Sequence, residues 1–166
     1  MFKKSLLFLS TLFICNNALA EGIEEKNLNL TTNPLGYVLL LPNAKIDYAY
    51  DEQNAFGFNV LVGFNFVSAG FDRTYFFDSF YEDSPFINAG YQYSGIKTEE
   101  FSFDAHSISV NVGKKWLWES GFNLNLFGGT EYIILENEHH HELNGFPGDE
   151  VRGFNPKIGF TIGRHF

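Results

Sequence analysis

Apolar and polar residues alternate one by one over most of this chain. That two-residue period places successive side chains on opposite faces of a strand. In the final segment Phe154, Pro156, Ile158, Phe160 and Ile162 share one face, while Gly153, Asn155, Lys157, Gly159, Thr161, Gly163 and His165 share the other. The chain ends on Phe166. Ala44, Ile46, Tyr48 and Tyr50 oppose Lys45, Asp47 and Ala49. A second clean run has Phe56, Phe58, Val60, Val62, Phe64 and Phe66 on one side, and Gly57, Asn59, Leu61, Gly63 and Asn65 on the other. Ile87, Ala89, Tyr91 and Tyr93 form a further face, as do Ile108, Val110 and Val112, and then Phe122, Leu124 and Leu126 in a strand running to about Leu135.

Polar punctuation separates these runs. Asp51-Glu52-Gln53-Asn54 reads as a tight turn, 95–104 as an acidic loop, 114–120 as a turn carrying Trp116 and Trp118, and 136–150 as a long acidic, His-rich loop. Asn33 to Leu41 is apolar and is interrupted at Pro42-Asn43. Phe71 to Phe80 is aromatic but alternates badly. An eight-strand count needs a reversal near Pro42-Asn43 and a strand near 71–79; without both, the count falls to six. No helical period of useful length and no internal repeat stands out.

The polar face is Gly, Asn, Ser and Thr with few charges, which suits a narrow lumen. A soluble barrel would instead carry Lys and Glu outside. The pattern therefore predicts an all-β, antiparallel, up-and-down transmembrane β-barrel of eight strands, apolar outward and polar inward. The Trp residues and several Tyr fall at strand ends, where an aromatic girdle belongs. A soluble ligand-binding barrel is the alternative.

Composition adds a reason for that arrangement. Aromatics make up 18% of the 166 residues, with 20 Phe, and this much ring surface needs an apolar surrounding. No apolar run after residue 20 reaches the length of a membrane-spanning helix. The start of the chain reads as an export signal: Lys3 and Lys4, an apolar stretch from Ser5 to Cys15, and Ala18-Leu19-Ala20 as the cleavage site. The expected domains are a signal peptide at 1–20, a short periplasmic lead-in at 21–32 and an outer-membrane barrel at 33–166. Cys15 is the one cysteine, so the exported chain would hold together without a disulfide. Ile14 before Cys15 argues against a lipoprotein signal. Beyond residue 20 there are 9 basic and 20 acidic residues, a net charge of −11. A nucleic-acid partner is not expected.

With the Ala18-Leu19-Ala20 site, the strand–turn–strand unit at 44–66, the hairpins after it and Phe166, the chain resembles the small outer-membrane β-barrels of Gram-negative bacteria. That group includes the OmpA transmembrane domain, OmpX- and Ail-type proteins and the opacity proteins. The stretch from Thr32-Asn33-Pro34-Leu35 through Pro42-Asn43 and Ile46-Asp47 is similar to an uncharacterised subgroup of these barrels. The resemblance implies a cell outer-membrane location, contact with membrane lipid and lipopolysaccharide, and delivery to the barrel-assembly machinery through the strand ending in Phe166. Arg164 departs from the aromatic usual two positions before the final Phe.

Three features invite chemistry. His139, His140 and His141 lie among Glu136, Glu138 and Glu142, residue types that bind transition metals. Neighbouring residues of an extended loop point different ways, so a solvated loop is the reading preferred and no metal is assigned. His106 and Ser107 suggest the His-x-Ser pair of lipid A deacylases, but alternation puts Ile108 beside His106 and turns Ser107 and Ser109 to the other face. No catalytic residue and no cofactor is assigned. Lys45, Asp47, Glu131 and Lys157 are all expected to face the lumen and to form an ion-paired plug. The functional expectation is a non-enzymatic structural or interaction protein, adhesin-like, with a side-chain-filled lumen and a ligand-binding surface on the loops at 95–104 and 136–150. An outer-membrane lipid-modifying enzyme and a narrow channel are the alternatives.

Overall fold

The computed structural model describes residues 27–97, 102–137 and 151–166. Eight antiparallel strands form a closed barrel in which each strand pairs with the next and β1 closes on β8. They are β1 (Leu28–Thr32), β2 (Asn43–Ala49), β3 (Asn54–Val62), β4 (Phe66–Phe76), β5 (Ser84–Lys97), β6 (Ser102–Leu117), β7 (Phe122–Asn137) and β8 (Val151–His165). A short helix, α1 (Pro34–Val38), joins β1 to β2. Up-and-down order puts the 50–53, 77–83 and 118–121 connections at one end with Leu28 and Phe166, here the floor end. The 33–42 and 63–65 connections and the upper ends of β5 to β8 lie at the other, the loop end.

The eight-strand count matches the pattern in the sequence. Several boundaries do not. The first strand is Leu28–Thr32, inside the stretch expected to be a polar lead-in. It is short and polar because Asn29 and Thr31 point inward, and it pairs with β2 and β8. The apolar run 33–41 is the reversal itself. Asn33 caps α1 by accepting from the Leu35 N–H at 2.9 Å, and Pro34 opens the helix, where its missing N–H costs nothing.

The run of alternating Phe stops at Val62; Phe64 lies in a turn and Phe66 begins β4. The strand expected at 71–79 is the longer β4, and it does alternate: Val67, Phe71 and Tyr75 point outward, Ser68, Asp72 and Thr74 inward. Two residues obscure this in the sequence, Arg73 on the outer face and Phe76 on the inner one. The expected 114–120 turn is also shorter. β6 continues to Leu117, and the reversal is 118–121, closed by Gly121 at φ 80°. The stretch expected to be a signal peptide, His139 to His141, and residues 98–101 and 138–150 of the two expected loops lie outside the described residues.

Asp51 organises the β2–β3 turn by accepting the Gln53 and Asn54 N–H groups at 2.8 and 2.7 Å. The Asn54 side chain also donates to it, which together with these backbone bonds holds its carboxyl below the usual range.

The apolar core is small and sits at the floor end. Ala49, Ala55, Phe76, Phe80 and Phe86 are buried together, with Phe127 against them. Phe80 comes from the 77–83 connection and folds back into the barrel, where it is 0% exposed. Burial of one such ring contributes about 1.5–3 kcal/mol. The Glu52 carbonyl accepts the Phe80 N–H at 2.6 Å, so the 50–53 turn helps to hold Phe80 in place.

Candidate functional site

Alternation aims one residue in two from every strand at the barrel axis, and there the charged residues collect. Lys45 on β2 lies 2.8 Å from Asp47 of its own strand and 2.9 Å from Asp72 on β4. The side chain reaches Asp72 by passing over β3 at Gly57, which is paired with both Asp47 and Asp72. A Cβ at Gly57 would stand 2.5 Å from Lys45 Cε and 2.6 Å from Asp72 Oδ1. A side chain at this position would have to displace the triad.

Asp72 is tied further into the wall. The Asn88 amide donates to it at 2.7 Å and to Thr74 at 2.9 Å, and Asn111 donates to Asn88 at 3.2 Å. A carboxylate out of water needs hydrogen-bond partners. Across the lumen Lys157 on β8 lies 3.7 Å from Glu131 on β7, and the Ser107 hydroxyl donates to Glu131 at 2.7 Å. A third set joins β7, β1 and β8: Asn123 donates to Asn29 at 2.7 Å, and Asn125 donates to Thr161 at 3.0 Å.

The four lumenal charges expected from the sequence, Lys45, Asp47, Glu131 and Lys157, do face inward and border one cavity of about 400 Å³. Among the described residues they form two ion-paired groups instead of a single plug. Asp72 escapes a reading of the sequence because β4 does not read as alternating. Lys115 escapes it because 114–120 reads as a turn.

Lys115 belongs to the floor and is 1% exposed. Its ammonium donates to the Phe80 carbonyl and lies 4.6 and 4.7 Å from the Phe76 and Phe80 ring centroids. The His165 ring packs on Phe80 at 4.5 Å. The side chain that closes the floor is thus held against the rings that form it. The cavity is thus a polar cup, walled by amides and ion pairs and closed below by aromatic rings.

His106 faces outward; the Tyr91 hydroxyl is 2.6 Å from its Nδ1. Ser107 points inward to Glu131. The wall of the barrel separates the two, as alternation requires.

The outer face is the reverse of the lumen. Phe58, Phe71, Ile108, Val112, Phe154 and Ile158 all stand out from the barrel, Ile158 with 85% of its surface exposed. Near the floor end three outward cations lie against aromatic rings: Arg73 over Tyr50 at 5.9 Å, Lys114 over Trp116 at 5.7 Å and Arg164 over Phe166 at 5.8 Å. Toward the loop end the outer face turns to Tyr91, Tyr93, His106 and Tyr132. Among the described residues no helix is long and apolar enough to cross a membrane, which says nothing of strands. Comparison with family models, with curated proteins and with solved structures finds no match to this chain.

Proposed function

We propose that the protein is an integral outer-membrane barrel of a Gram-negative cell. The barrel is an anchor with a closed floor, and the connections at 95–104 and 136–150 are its interaction surface. The observation that carries this reading is the inversion of polarity. Ile158 is 85% exposed on the outside, while Lys115, Asp47 and Asp72 are 1%, 7% and 8% exposed on the inside. Water would penalise the first arrangement, and hydrocarbon would reward it.

The rings and cations near the floor end and the Tyr-rich zone toward the loop end are what a lipid boundary selects. Tyr and Trp sit at headgroup depth, and long basic side chains reach out to headgroups. Closure pairs β1 with β8, so the sheet has no open edge strand, as backbone polar groups in hydrocarbon require. On this reading the partners are outer-membrane lipid and lipopolysaccharide, the barrel-assembly machinery at the strand ending in Phe166, and an extracellular ligand of the acidic loops.

Membrane fractionation followed by a gel of boiled and unboiled samples tests it. An outer-membrane band that shifts on boiling is the expected result. A soluble protein with no shift overturns it. Removal of 137–148 should then leave the shift intact and abolish loop-mediated binding.

A narrow channel is the second reading, favoured by the 400 Å³ lumenal cavity. Phe80 and Lys115 across the floor weigh against it, and planar-bilayer conductance decides.

A further inference from the structure

The two halves of the barrel differ in height. β2 has 7 residues and β3 has 9, while β6 and β7 have 16 each. With the usual strand rise and a tilt of about 40°, these span about 18, 23 and 42 Å along the axis. The apolar band of a membrane barrel is about 25 Å tall. The β1–β4 wall is therefore too short at β2 to fill the band, and residues 33–42 must complete it.

Those residues are built for that place. Leu35, Val38, Leu39 and Leu40 are exposed, Val38 at 77%, and Phe64 on the adjoining turn is equally bare. They continue the outward apolar face of Phe56, Phe58 and Val62 on β3.

The backbone is as informative as the side chains. Lipid forbids unsatisfied N–H groups. Asn33 N–H donates to the Asn43 side chain and Leu35 N–H to the Asn33 side chain. Gly36, Leu39, Leu40 and Leu41 donate to carbonyls within the connection, and Pro34 and Pro42 have no N–H. Leu40 holds a φ of 60°, a conformation that favours Gly or Asn, and so keeps an apolar side chain at the rim.

We propose that the 33–42 connection, with Phe64, is a lipid-embedded rim that anchors the short wall in the leaflet at the loop end. Its partner is the acyl chains next to the headgroups. This rests on the outer-membrane reading.

Tryptophan depth measurements test it. Trp116→Phe and Trp118→Phe give a silent background. Into it go Val38→Trp, Phe64→Trp, Leu39→Trp and, as a reference at mid-wall, Phe58→Trp. The variants are refolded into vesicles whose acyl chains carry bromine close to the headgroup or near the chain end. Each is first checked for the folded band on an unboiled gel. Three exposed rim sites guard against one variant failing to fold.

The expected result is that Phe58→Trp loses most of its emission to deep bromines, and the rim variants lose most of theirs to shallow ones. If Phe58→Trp is quenched and the rim variants are not, the rim stands in water and the proposal is wrong while the barrel reading holds. If none is quenched, the barrel reading falls and the rim with it.

Discussion

The β1–β4 wall and the β5–β8 wall solve the same problem differently. The short wall is held by a tight ion triad. Lys45 is clamped between Asp47 and Asp72 at 2.8 and 2.9 Å, over a glycine where an added Cβ would meet all three side chains. The tall wall is held by ladder length. Its strands run 14 to 16 residues, and its own ion pair, Glu131 with Lys157, is looser at 3.7 Å and more open to solvent. The side with the shorter strands carries the closer ion pairs. Removing one partner of a charge pair costs most where the geometry is tight and water is excluded, and least where it is loose.

Breaking the triad should have the largest effect. Lys45→Met leaves two carboxylates facing each other without a cation, at a cost of about 3–5 kcal/mol in urea unfolding from lipid vesicles. The triple variant Lys45→Met, Asp47→Leu, Asp72→Leu should recover most of that loss. A single variant as stable as the parent would show that the triad does not hold the wall.

Phe80→Ala comes next, at about 3 kcal/mol, because it empties the floor that both walls share. The same variant should raise conductance in planar bilayers if the ring is what seals the lumen. Gly57→Ala should cost about 1–3 kcal/mol, since the added methyl meets Lys45 and Asp72 head on. An unchanged urea midpoint would mean that the triad can shift aside. Lys157→Met on the tall wall should cost less than about 1 kcal/mol. A loss as large as that of Lys45→Met would erase the contrast between the walls.

Much of the barrel is legible in the order of residues alone. The middle stretches of β3, β6 and β8 keep an apolar face and a small or polar face, so their period is plain. β4 is not legible, because a barrel admits exceptions at its two ends. Arg73 can lie outside where a Tyr50 ring is near, and Phe76 can lie inside where the floor is apolar. β1 is too short and too polar to announce itself. It is a strand because β2 and β8 lie on either side of it. The inward placement of Lys45, Asp47, Glu131 and Lys157 follows from alternation alone, but their pairing does not. Asp72 is 25 residues from Asp47 along the chain and meets it across Gly57 only once the register is set.

By itself, then, the sequence determined the strand period and which residues share each face of the clearest strands. Both depend on neighbours two residues apart. Tertiary structure alone decided the ion triad, the Phe80 and Lys115 floor, the unequal walls and the apolar rim at 33–42. Each depends on which residues meet across the barrel, and that is set by closure and register.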